Sequence, residues 1–582
     1  MLARGRHLLP SSSLFQAKSF CRAPLSSLFF SERRQSVQTA AKGRGKQHAS
    51  NSDTPAHESP QAKHRRPPAI RGESPEFDEE YTSHEQIHPT IEPTRSLVSF
   101  MDAVVKVFCT HTEPNFSLPW QRKRQMNSTS SGFAASFQGQ RCLLTNAHSV
   151  DYHTQVKVKK RGDDRKFLAK VLSIGVDCDV ALLDVADETF WEGMTPLELG
   201  PLPHLQDSVA VIGYPIGGDT ISVTAGVVSR IEVTDYTHGS TDLLAIQIDA
   251  AINGGNSGGP VFNAAGECCG IAFQALVGDS VENVGYVIPT PVIQHFLVDY
   301  QRTGGFTGFP ALGIRWQRLE SDALKRAFGM TPEQKGVLVR SVNPTSHAAS
   351  ALRKDDVVMA FDDVAVASDG TVPFRTGERI AFSYLISTKY VGDVCKLKVL
   401  REGKELELET RLSKPHSLVP PHINNKDPGY FIVAGLVFTT VNEPYLLSEY
   451  GANYMTDAPV KLLERMFHGT PQFPDEEVVV LSQVLACDAT LGYEDIYNVQ
   501  VQRFNGTTVR NLKHLAELVT ACSEKYMRFE MEYNELVVLE TPEALAATPD
   551  VMESHSVPHL MSKDLRESGL VWPPKSSKSQ KK

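Results

Sequence analysis

A chain of 582 residues is too long for a single core, and 41% hydrophobic with 22% charged residues is an ordinary globular balance. A formal charge of -9 supplies no basic stripe, so nucleic acid is not expected as a partner. No apolar run approaches the roughly 18 residues of a spanning helix, so no membrane span is expected either.

In chain order, residues 1–45 come first. Arg4, Arg6, Lys18, Arg22, Arg33, Arg34, Lys42 and Arg44 stand there against one acid, Glu32, with serines and bulky apolar residues between. That composition, with no continuous apolar stretch for a secretory signal, predicts an organellar transit peptide; early arginines spaced among leucines favour a mitochondrial address, with the chloroplast as the alternative. Residues 46–95, rich in Pro, Ser, His and charge, predict a disordered linker. Over 96–303 short β-rich runs such as DAVVKVF, GFAASF and DVALLDV predict a mainly β barrel or sandwich, closed by a helix over 289–302. Residues 308–413 change to a mixed α/β texture. A third globular stretch spans 426–541 and ends in an amphipathic helix with Leu512, Leu515, Leu518 and Val519 on one face. The last segment, 542–582, is polar and contains Pro and Lys, and a flexible tail is expected.

The nine cysteines include no CxxC pair and read as small, reduced core residues. There is no GxxxxGK[ST] and no HExxH, so neither metal nor cofactor is expected and any hydrolysis should be ATP-independent.

The chemistry concentrates in DAAINGGNSGGPVFN, Asp249 to Asn263. Gly255-Asn256-Ser257 can turn two backbone N–H groups toward one point, as an oxyanion hole requires. Gly258-Gly259-Pro260 leads into a strand, which argues against the helix-following elbow of α/β-hydrolases. Upstream, His148 ends an apolar strand in CLLTNAHSV, and Asp177, Asp179 and Asp184 surround the apolar run of DCDVALLDV. The order His, Asp, Ser is that of the chymotrypsin-type fold.

Read together, TNAHSV, DVAL and GNSGGPVFN closely resemble the HtrA/DegP (Do-like) serine proteases, and the resemblance extends to about residue 540. It implies a double β-barrel protease with two PDZ-like modules behind it. Its Asp-apolar-Ala-Leu pattern selects Asp179, completing a triad of His148, Asp179 and Ser257 with oxyanion amides from Gly255 and Ser257. The position six before the nucleophile, acidic in enzymes that cut after Lys or Arg, is Ala251 here. The implied pocket wall is Ile271, Ala272 and Phe273, and the implied substrates are unfolded or damaged polypeptides with small or medium aliphatic residues. Homotrimers, or multiples of them, are implied as the assembly. A chaperone or a PDZ scaffold with minor proteolysis is the alternative.

The long segment 110–132 resembles the family's regulatory loop, which reaches toward a neighbouring subunit, and Trp120 with Arg122, Lys123 and Arg124 suits that contact. ALGIRWQRLES resembles a PDZ carboxylate-binding loop, implying capture of C-terminal peptides at Ala311, Leu312, Gly313 and Ile314. Asp355 and Asp363 stand where glycine is usual. The second module is degenerate: its loop, Phe431 to Leu436, looks less suited to a carboxylate.

Overall fold

The computed structural model describes residues 100–278 and 281–573. The expected transit peptide and linker lie outside the described residues.

Two β-barrels come first. β1 (Val104–His111), β2 (Met126–Phe137), β3 (Gln140–Thr145), β4 (His153–Lys160), β5 (Phe167–Gly175), β6 (Val180–Asp184) and β7 (Leu197–Glu198) form one sheet. Its order is β1-β4-β5-β6-β3-β2-β7, and β1 also pairs with β2, which curls the sheet onto itself. The second sheet is a closed barrel of β8 (Ser208–Gly213), β9 (Ser222–Tyr236), β10 (Thr241–Ile248), β11 (Pro260–Asn263), β12 (Cys268–Gly278) and β13 (Val281–Pro289). β-branched and aromatic residues fill these strands because alternate positions must pack inward. α1 (Thr290–Thr303) then starts with Pro291 in its first turn and stops at Gly304, whose φ of 74° supplies the left-handed cap.

The next module is a sheet running from Ile314–Arg318 through Val337–Val342, Val357–Phe361 and Val394–Arg401 to Lys404–Arg411. Its buried residues join the core of the first barrel through Phe309, Leu312 and Leu412. Asp355 and Asp363 adopt φ of 73° and 65°. Aspartate is therefore accommodated in the two left-handed turns, and Asp355 is also paired with Arg340 at 2.8 Å.

The last module is another sheet, from Tyr430–Val433 and Leu436–Thr440 through Val479–Val484 to Leu536–Glu540. The expected helix is present as Leu512–Thr520, with Ala516 rather than Leu518 completing the buried face of Leu512, Leu515 and Val519. The expectation of a flexible tail over 542–582 is corrected for residues 542–573, and the remainder lies outside the described residues. Helices Thr541–Ser554 and Lys563–Glu567 pack on this sheet, burying Val551, Leu560, Met561, Leu565 and Trp572. Sparse apolar residues, spaced among polar ones, suffice because the sheet supplies the other half of the core.

Candidate active site

His148 follows β3, and Asp179 immediately precedes β6, its neighbour in the sheet. Asp179 has φ of 51°, a strained value for a non-glycine residue, and is 1% exposed. Its carboxylate answers both polar groups of His148: Oδ2 lies 2.7 Å from Nδ1, and Oδ1 accepts the backbone N–H at 2.9 Å. The Asn146 amide donates to the Asp179 carbonyl at 2.8 Å, which fixes the turn from the other side.

Ser257 is buried in the turn that feeds β11. The Ser257 carbonyl accepts from the Ser131 N–H at 2.9 Å, while the Ser131 carbonyl accepts from Thr145 Oγ1 at 2.7 Å. Thr145 ends β3, so one short chain of bonds ties the serine turn to the strand that carries His148. Ser131 Oγ donates to the Gly255 carbonyl and accepts from the Tyr214 N–H, each at 2.7 Å. Gly255 has φ of 97°, and a Cβ there would lie 2.6 Å from the Tyr214 carbonyl oxygen. Only glycine fits such a place. In this turn the amides of Asn256, Gly258 and Gly259 bond to the carbonyls of Asn253, Ala272 and Asn256. Among the described residues, the amides of Gly255 and Ser257 have no backbone partner.

The expected pocket wall does not hold as one surface. Successive side chains of a strand point to opposite faces. Ile271 and Phe273 enter the core beside Tyr236, while Ala272 enters the interior of the second barrel. Phe273 lies 4.6 Å from the Tyr236 ring. β12 still borders the serine turn, through the Gly258 and Ala272 bonds to its backbone. Ala251 is half-buried, and its carbonyl accepts from Thr224 Oγ1 at 2.9 Å.

The two C-terminal modules differ at the edge where a peptide would add. In the first, Ile314–Arg318 pairs on one side only among the described residues, which leave its other edge open. Ala311 does not belong to the free part of that loop, because its N–H and carbonyl both bond to Ser413. In the second module the equivalent strand, Leu436–Thr440, has Tyr430–Val433 against its outer edge. The backbone of Leu560 and Ser562 pairs in turn with Ile432 and Tyr430. This chain's own strands therefore fill the position that a peptide would take.

The loop after β1 was expected to reach a neighbouring subunit; here it lies on the second module of its own chain. Trp120 meets the Tyr430 ring edge-on at 6.0 Å, and Arg122 pairs with Asp427 at 2.5 Å. Ser117 donates to Glu449 at 2.6 Å and accepts, through its carbonyl, from Gln483. Phe116 is buried among Leu418, Val441 and Tyr445.

Sequence reasoning passed over Ser131, Thr145, Asn146, Asp151 and His238, all of which surround the triad positions. Thr145 and Asn146 lie within TNAHSV without having been given a role there, and Ser131, Asp151 and His238 are single polar residues in strands and turns that carry no periodic or motif signal.

Comparison with known proteins places these features. A trypsin-like peptidase domain matches residues 130–271, and PDZ domains match 310–412 and 419–564. Protease Do-like 2, chloroplastic, of Arabidopsis thaliana is 53% identical over 469 residues, 81% of this chain and 76% of that one. Protease Do-like 4, mitochondrial, of the same plant is 43% identical over 466 residues, 80% of this chain and 86% of that one. Among solved structures, the HtrA-type protease AlgW with decapeptide is 24% identical with a TM-score of 0.44, covering 55% of this chain and 98% of its own. The relatives are organellar, and so is this chain. With a trypsin-like domain and two PDZ domains in this order, the chain belongs to the Do-like/HtrA family of serine proteases and is a serine endopeptidase.

Proposed function

We propose that Ser257 is the nucleophile, His148 the general base and Asp179 the orienting carboxylate of an ATP-independent endopeptidase acting on unfolded or damaged polypeptides. The observation that carries this reading is the double engagement of His148 by Asp179, at 2.7 Å to the ring and 2.9 Å to the backbone. With Nδ1–H donating to a carboxylate, the lone pair of the imidazole is on Nε2, where a base needs it. Ser257 Oγ attacks the scissile carbonyl as its proton passes to Nε2, and Asp179 stabilises the resulting imidazolium. The same proton then goes to the leaving amine, and water repeats the sequence on the acyl-enzyme. The unspent amides of Gly255 and Ser257 suit the developing oxyanion, and losing one such donor typically costs about 2.7–4 kcal/mol of barrier.

The absence of an acid at Ala251 favours aliphatic rather than basic residues in the primary pocket. The open edge of Ile314–Arg318 supports capture of C-terminal peptides by the first PDZ module, with Leu312, Gly313 and Ile314 as the loop and Ala311 as its anchor. The second module acts structurally. The assembly is a homotrimer or a multiple of trimers, as the family resemblance implies. The address is mitochondrial, from the charge pattern of residues 1–45.

The test is β-casein degradation without ATP by the protein beginning near residue 45, beside its Ser257→Ala variant. Cleavage by the parent alone supports the assignment, and equal cleavage by both overturns it. No cleavage by either, with aggregation still suppressed, transfers the function to a chaperone.

A further inference from the structure

Resting on the triad reading above, we propose that His238 and Asp151 are positioning residues for His148, an ion pair in which the His238 cation offsets the Asp151 charge behind the catalytic base. The three-residue mechanism uses neither of them. His238 lies in the turn between β9 and β10, its ring edge-to-face with His148 at 5.9 Å between centroids. Its Nε2 is 3.1 Å from Asp151 Oδ2, and the two side chains are 23% and 21% exposed.

The pair is held from two directions. Asp151 lies three residues beyond His148, and its carbonyl oxygen is 2.6 Å from Nδ1 of the buried His111 in β1. His111 Nε2 is in turn 2.5 Å from Ser128 Oγ. The hairpin of His238 is seated on the turn before Asp179: a Cβ at Gly239 would come within 2.6 Å of the Asp177 Cα. Asn425, from the segment between the PDZ modules, also favours the charged form of Asp151.

Burial opposes a charge on His238, yet the Asp151 carboxylate, with Asp179 beyond it, outweighs that and holds its pKa up at about 9. Burial likewise opposes a charged Asp151, while His238, Asn425 and His148 together hold its carboxyl below the usual value. The groups facing His238 are Asp151 and His148 on the turn after β3, Asp179 before β6, and Asp177 with its partner His422 at 2.9 Å. Asp235 and Asp242 lie on its own hairpin.

A cation beside a neutral imidazole disfavours protonation of that imidazole. The His238 cation therefore offsets the pull of the Asp151 carboxylate toward a protonated His148. Removing only the cation leaves the Asp151 anion, which has the opposite effect. Removing both leaves little net change.

The full chain, labelled at its active serine by a fluorophosphonate probe between pH 5 and 10, reads His148 directly. Ser257→Ala checks the triad first: if that variant is still labelled, the triad reading fails, and not this one alone. With labelling confined to Ser257, His238→Gln should move the acid limb of the rate profile upward by about half a pH unit or more. Asp151→Asn/His238→Gln should return it close to the parent position, and His238→Lys should hold it there. Lower plateau rates with an unmoved limb in every variant would mean a structural role and overturn the proposal. Should His238→Gln not fold, His238→Asn decides in the same assay: an upward move of the acid limb supports the proposal, and an unmoved limb overturns it.

Discussion

At the scale of single residues, the turn around Ser257 shows why so little of it can vary. Gly258 has φ of 86°, and a Cβ there would intrude on the Ser131 carbonyl oxygen that also accepts from Thr145. Gly258→Ala should therefore lose about 1–3 kcal/mol of stability to backbone strain alone, seen as a lowered melting temperature, together with most casein cleavage. Asp355 makes the opposite case. Its φ of 73° is unfavourable for aspartate, while its ion pair with Arg340 is nearly half exposed and contributes little. Asp355→Gly should change stability by less than about 1 kcal/mol in thermal melts, because relief of strain offsets the lost pair. The motif residues His148, Asp179 and Ser257 were legible in sequence because chemistry dictates their identity and local setting. Ser131 and His238 were not, since a serine in a strand or a histidine in a turn is ordinary until its partner is known.

At the scale of elements, two segments depart from their sequence reading for the same reason. Residues 541–573 look like a polar tail, and the loop after β1 looks like a free arm. Each has only a few apolar residues, and those find a surface on the second module that the chain supplies elsewhere. Fully burying one large apolar side chain is worth about 1.5–3 kcal/mol. Val551, Leu560, Met561, Leu565 and Trp572 are all buried on that sheet. Truncation after residue 540 should therefore abolish cooperative melting of the second module, and its amides should lose protection in hydrogen exchange. Trp120→Ala, with Arg122 left in place, should loosen the loop without unfolding the barrel. Limited proteolysis should then cut within residues 112–125 several times faster, while the melting temperature of the protease domain stays within a few degrees.

Across the whole molecule, the segment joining the PDZ modules touches both sides of the catalytic turns. His422 pairs with Asp177, two residues before Asp179, and Asn425 stands by Asp151, three residues after His148. The pH dependence of stability belongs to this scale too. A histidine whose folded pKa is raised contributes stability in full below its unfolded value and loses it as pH rises through the folded one. For His238 that window runs from 6.5 to about 9. Asp151 is shifted the other way, so its share is present above its ordinary value of 3.8 and fades only as pH falls further. Scanning calorimetry should find the melting temperature of the parent falling between pH 7 and 9.5, and falling less in His238→Gln.

Much of this protein was determined by sequence alone: the β texture of the first domain, the order of its modules, and the three side chains that the reaction needs. Those features depend on local pattern, on glycine and proline, and on fixed chemical roles, all of which lie within short windows of chain. Tertiary structure decided the rest. It split Ile271, Ala272 and Phe273 between two cores, laid Tyr430–Val433 over the edge of the second PDZ sheet, and brought His238 across from another barrel to stand behind His148. Contacts between residues some ninety positions apart follow from how twisted sheets close, and no local pattern encodes that closure.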